Sequence, residues 1–194
     1  LQYGTYGKEI ISTPEARADS EIPLTETLKN NGLDMNVLKD VVEIKVYAYN
    51  DLTWKVFFGD KYKEIKSQYP NLRYDTAERI VKISDYNKIA KLYGIDEYEL
   101  NNDEYIMLCD FDSMAETRNK VLEDGDNILT IAGKQYKSKY NECKNGYIEM
   151  STSHTNTGII LVPDNCPLSD DTQELYLLAA NYNAQTDEDK AKIN

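Results

Sequence analysis

Histidine occurs once in these 194 residues, tryptophan once and cysteine three times, and each scarcity removes a class of chemistry. A zinc site draws about four ligands from Cys and His at short spacings, which three scattered cysteines and His154 do not offer. Three is also too few for a disulfide scaffold, and being odd it leaves at least one thiol free. No apolar run approaches the roughly 20 residues a membrane helix requires; the longest, residues 175–180, fits a core helix. No signal peptide is visible. No block of Lys and Arg offsets a formal net charge of −12, so nucleic acid is not an expected partner. No glycine-rich phosphate loop occurs, and we expect neither a cofactor nor catalysis.

The chain has acid and tyrosine in quantity. A negative field of this size raises the local concentration of a cationic peptide; it equally serves solubility alone. Sixteen tyrosines stand against three phenylalanines. Tyrosine tolerates half-exposed positions, so these belong at the core edge or on a binding face. Tyr47, Tyr49 and the polar run 151–157 are the candidate surface groups, although no motif assigns a ligand to them. The chain starts at Leu1 and ends in a solvated run, residues 185–190, from which we expect a piece of a longer protein.

The pattern along the chain predicts a single α+β domain over residues 1–194, with β-hairpins and four to five helices. Thr13 before Pro14 reads as a helix start, and Pro23 as a restart that ends near Gly32. Val42, Ile44, Val46 and Ala48 alternate with polar or aromatic residues, and Asn50-Asp51 reads as a turn into a second strand over 53–58. Residues 60–75 stay undecided, a charged helix over 61–69 stopped by Pro70 being one solution. A strand over 79–84 runs into a helix capped by Ser84 and ended by Gly94. Residues 105–109 form a strand, and Ser113-Met114-Ala115-Glu116 opens a helix as a capping box. Two strands flank Ala132-Gly133, and a further pair is expected at 147–150 and 158–162. The last helix starts at Ser169 and buries Leu175, Leu178, Ala179 and Tyr182.

Cys109 reads as a small buried hydrophobe. Cys143 and Cys166 flank the strand pair at equal distances, and would face each other if 148 lay opposite 161; a disulfide and two free thiols both remain open.

Asp110-Phe111-Asp112-Ser113-Met114 after an apolar strand is the sharpest enzyme-like signal, since two carboxylates there could serve a Mg²⁺-dependent phosphohydrolase. It superficially resembles the first motif of haloacid-dehalogenase-type phosphotransferases. Met114 departs from that motif, and Gly125-Asp126-Asn127 does not supply its later acidic pair. The carboxylates are better read as helix-start acids, each stabilised by roughly 0.3–1 kcal/mol. Asp124-Gly125-Asp126 fails the calcium-loop pattern because Ile128 takes the third ligand position. His154 reads as a loop residue.

The stretch Ile83-Ser84-Asp85-Tyr86-Asn87-Lys88-Ile89-Ala90-Lys91-Leu92-Tyr93-Gly94 resembles a segment of the large extracellular insert of FtsX-like permeases of ATP-driven transporters. The type in question handles bacitracin and lantibiotics in Gram-positive bacteria. Similarity continues through residues 101–110, Ile131-Ala132-Gly133-Lys134-Gln135-Tyr136, and Gly158-Ile159-Ile160-Leu161-Val162-Pro163-Asp164. It covers residues 80–165 well and 1–80 poorly. The resemblance implies a noncatalytic domain on the outer face of the cell membrane, joined to the membrane part of a permease and through it to an ATP-binding subunit. It implies recognition of peptide antibiotics or lipid-linked cell-wall targets, in some members with a sensor histidine kinase. A free-standing secreted or surface module is the alternative, and ligand-binding residues do not carry over.

Overall fold

The computed structural model describes residues 8–13, 24–32, 34–123, 127–149 and 157–182. In chain order the elements are β1 (Lys8–Thr13), α1 (Leu24–Asn30), β2 (Leu38–Thr53), α2 (Trp54–Phe58), α3 (Tyr62–Gln68) and β3 (Ala77–Lys82). There follow α4 (Ile83–Tyr93), β4 (Glu104–Leu108), α5 (Asp112–Leu122), β5 (Ile128–Ile131), β6 (Lys134–Ser138), β7 (Ile159–Val162) and β8 (Gln173–Tyr182). The strands make one mixed sheet in the order β1-β8-β2-β3-β7-β4-β6-β5. The β3–β7 and β4–β6 pairs are parallel and the remainder antiparallel. The fold is α+β.

The last two strands enter the interior of the sheet: β7 lies between β3 and β4, and β8 between β1 and β2. A strand with neighbours on both edges and layers on both faces must be apolar throughout, and Ile159, Ile160, Leu161 and Val162 are all buried. On one face Phe57, Phe58 and Ile65 of α2 and α3, with Met114, Val121 and Leu122 of α5, cover Ile80, Met107, Ile160 and Val162. On the other, Tyr86, Ile89 and Ala90 of α4 cover Val81, Ile106, Leu108, Ile159 and Leu161. Leu24 of α1 closes a smaller cluster with Tyr176, Leu178 and Ala180 of β8.

Several local expectations change in this context. The stretch expected as the last helix is β8, whose residues 177–180 are fully buried; its continuous apolar run fits a doubly covered strand as well as a helix stripe. Ser169 precedes only a short 3-10 turn, Asp170–Thr172. Asn50-Asp51 does not reverse the chain. β2 runs through it as one strand, with its pairing to β3 shifted between Ala48 and Thr53. The expected second strand over 53–58 is α2 instead, capped by Thr53 Oγ1, which accepts from the Val56 N–H at 3.4 Å. Thr13 is the last residue of β1, and the helix expected from Pro14 falls on residues 14–23, which lie outside the described residues. The restart after Pro23 is α1, whose first N–H, that of Leu24, donates to the Glu43 carboxylate.

Two caps come from elsewhere in the chain or not at all. Ser84 sits inside α4, and its N–H donates to Asp164 Oδ1 at 3.1 Å, so a loop after β7 caps this helix. Gly94 ends it in the left-handed conformation, φ 71°. Ser113 does not cap α5. The cap position is Phe111, without a side-chain bond, and the Ser113 carbonyl accepts from Thr117 Oγ1. The hairpin at Ala132-Gly133 forms with positive φ at both residues, 49° and 77°, the two-residue geometry that suits twisted strands. Among the described residues, 147–149 do not pair with 158–162, because β3 and β4 already occupy both edges of β7. Cys143 and Cys166 are accordingly free thiols.

Candidate functional site

β3 sends consecutive side chains to opposite faces of the sheet, and its two adjacent charges, Glu78 and Arg79, meet very different surroundings. Glu78 faces α5. Arg118 Nη1 and Nη2 donate to its two carboxylate oxygens at 2.8 and 2.9 Å, and neither side chain is exposed at all. Arg118 Nε donates to the Thr157 carbonyl at 2.7 Å. The guanidinium lies over the rings of Trp54 and Phe57, 5.3 and 4.9 Å from their centroids. Burial works against the Arg118 charge, but attraction and hydrogen bonds from Glu78 hold its pKa above the ordinary value. Gly158 packs so closely that a Cβ there would stand 2.4 Å from Arg118 Nη2. This pair is a closed structural unit with no room for a ligand.

Arg79 points the other way into an open cleft of about 400 Å³, lined in part by Trp54, Tyr147, Glu149, Gly158 and Glu174. Its guanidinium reaches Glu149 at 3.8 Å and Glu174 at 3.3 Å, and its side chain is 38% exposed. Glu174 arrives there through an irregularity in β8. Val46 pairs with Leu175 and Tyr47 with Gln173, leaving Glu174 as the extra residue of a bulge. Bulges re-aim side chains in this way. Tyr147 is steadied by stacking on Tyr93, with centroids 5.6 Å apart. The cleft thus combines two carboxylates, one loosely held cation and two aromatic walls.

The sequence candidates fall elsewhere. Tyr47 is buried, and the Tyr49 hydroxyl accepts from the Ser169 N–H at 3.1 Å, so these tyrosines do not make a shared binding face. Residues 151–156, with His154, lie outside the described residues, as do residues 124–126. Asp110 lines a separate cleft of about 390 Å³ with Asp96, Asn145 and Tyr147. Asp112 is exposed at the start of α5 and does not line it, so the two carboxylates are not brought to one reaction centre. Among the described residues no group of three or more His, Cys, Asp or Glu is placed to hold a metal. Burial raises the pKa of all three thiols, that of Cys143 to about 12, which keeps them protonated and unreactive at neutral pH.

Arg79, Glu149 and Glu174 escaped the sequence reading because no short spacing links them. The chain matches no protein-family model, no curated protein and no solved structure. Among the described residues no helix is long and apolar enough to cross a membrane.

Proposed function

We propose that this chain is a noncatalytic recognition domain carried on the outer face of the cell membrane by an FtsX-like transporter permease. Its ligand class is peptide antibiotics or lipid-linked cell-wall targets. The observation that carries the reading is the placement of the four segments of resemblance. Residues 83–94 are α4 with its terminal glycine, 101–110 contain β4, 131–136 make the β5–β6 turn, and 158–164 contain β7. These elements are neighbours: β7, β4, β6 and β5 are consecutive in the sheet, and α4 packs on β4 and β7. Similarity confined to contiguous elements is what a shared structural unit produces, whereas chance matches scatter.

The open cleft beside β3 offers a ligand both charge and aromatic surface, which suits recognition. In this reading the ATP-binding subunit acts through the membrane part, and a sensor kinase is a further partner in the same membrane. The test is to express the whole protein with an affinity tag and isolate it from detergent-solubilised membranes. Recovery with an ATP-binding subunit supports the proposal. Recovery from the medium or cell surface without one favours a free-standing interaction module.

A further inference from the structure

The two arginines beside one another across β3 differ in a way that suggests what the open cleft holds. Arg118 makes a bidentate pair with Glu78 at 2.8 and 2.9 Å with no exposed surface, the geometry of a guanidinium serving as part of the core. Arg79 spans two carboxylates at 3.3 and 3.8 Å in a cleft reached by solvent. Both distances are long, the three side chains are only partly exposed, and the contact lacks the bidentate geometry of the inner pair. An internal guanidinium so weakly held is readily exchanged for another.

We propose that Arg79 is a placeholder in a dicarboxylate site, and that an arginine side chain of a partner peptide displaces it to pair with Glu149 and Glu174. The proposal deepens the recognition reading and rests on it for the peptide nature of the ligand. Charge selects the sign: Arg79, Glu149 and Glu174 together carry −1, and the chain carries −12. An anion seeking Arg79 would meet both carboxylates within a few ångströms, and like-charge contact at an interface is strongly disfavoured. A guanidinium fits because it is planar, can address two carboxylates, and stacks on aromatic faces. Trp54, which already carries Arg118 over its ring, and Tyr147, stacked on Tyr93, are the aromatic residues that line the cleft. Arg79 leaves for solvent when displaced, so no charge becomes buried and unpaired.

The test uses calorimetric titration of the purified chain with a short oligoarginine peptide and with its citrulline counterpart, which keeps the shape and loses the charge. Oligoarginine is expected to bind and the citrulline peptide not to. Glu149→Gln/Glu174→Gln should weaken binding about tenfold, while Arg79→Met should strengthen it about tenfold by removing the internal competitor. Asp60→Asn/Glu64→Gln removes the same charge at exposed positions around α3 and should leave the affinity unchanged. Thermal melts confirm that each variant is folded. Equal weakening by the two double variants would reduce the effect to overall acidity and overturn the proposal. So would weaker binding to Arg79→Met, which marks an anion site, or no binding to either wild type or Arg79→Met. Each of these failures leaves membrane association with an ATP-binding subunit, and with it the transporter reading, unaffected.

Discussion

Arg118 on α5 holds both carboxylate oxygens of Glu78 on β3, across 40 residues of sequence, with neither side chain exposed. The pair ties the helix layer to the middle of the sheet. Desolvating two charges offsets much of their attraction, so the pair fixes position more than it adds net stability. Removing one partner is another matter, because the remaining charge stays buried without its counterion. Glu78→Leu or Arg118→Met alone should each cost about 3–5 kcal/mol, and the double variant should recover a large part of that loss. Urea unfolding of the four proteins as a double-mutant cycle measures it. Strict additivity would show that the two side chains act independently.

Gly158 is expected to be the most demanding glycine near this pair. Its φ is 150°, and an added methyl would meet Arg118 Nη2 at 2.4 Å and Cζ at 2.5 Å. Arg118 cannot swing aside without releasing Glu78 and the Thr157 carbonyl. Gly158→Ala should therefore cost about 1–3 kcal/mol, the range for overpacking a filled core. Gly32→Ala is the control, since no atom lies within 4 Å of the added methyl there. It should cost only the strain of its positive φ, about 1 kcal/mol. Equal midpoints for wild type and Gly158→Ala would show that the guanidinium is less constrained than its contacts indicate.

The α4 cap gives a sharp test of long-range against local capping. Asp164→Ala removes the acceptor of the Ser84 N–H and should cost about 0.5–2 kcal/mol. Ser84→Ala keeps that N–H and should change stability by only a few tenths of a kcal/mol. The opposite ranking in denaturant unfolding would restore Ser84 as the cap.

Legibility in the sequence followed the range of the interactions. α4 was readable because its signals are local: an apolar stripe of Tyr86, Ile89 and Ala90 closed by Gly94. The β5–β6 hairpin was readable for the same reason, from Ala132-Gly133. Residues 175–180 were misread because a helix stripe and a doubly covered strand demand the same residues there. Only the insertion of β8 between β1 and β2 decides between them. Ser84 looked like a cap because the true acceptor is 80 residues away. The candidate cleft was invisible on the same grounds, since Arg79, Glu149 and Glu174 are distant in sequence and meet only where β8 bulges beside β2 and residues 147–149 line the same cleft.

Alkaline pH should unfold the domain before its surface titrates fully. Burial chiefly raises the pKa values of Tyr86, Tyr93 and Tyr105, and holds the Cys143 thiol at about 12. Unfolded thiols ionise at about 8.5 and unfolded tyrosines at about 10. Above those values the unfolded chain binds fewer protons than the folded one, so stability falls as pH rises toward the folded-state values. The contribution is fully present below pH of about 8. Urea midpoints should stay level from neutrality to that point and decline beyond it, with tyrosinate absorbance appearing together with unfolding. A level midpoint at pH of about 11, with gradual tyrosine titration, would show these hydroxyls open to solvent.

Placement on the outer face of the membrane is the claim on which the functional reading turns. The three native thiols are held back by burial and raised pKa, whereas Ser67 is exposed on α3. Ser67→Cys therefore adds one reactive thiol to this domain. The measurement is labelling of intact cells that carry the whole protein, native or Ser67→Cys, with a membrane-impermeant maleimide. The account predicts additional labelling of Ser67→Cys before any lysis. Additional labelling that appears only after the cells are broken would put the domain on the inner side and contradict it.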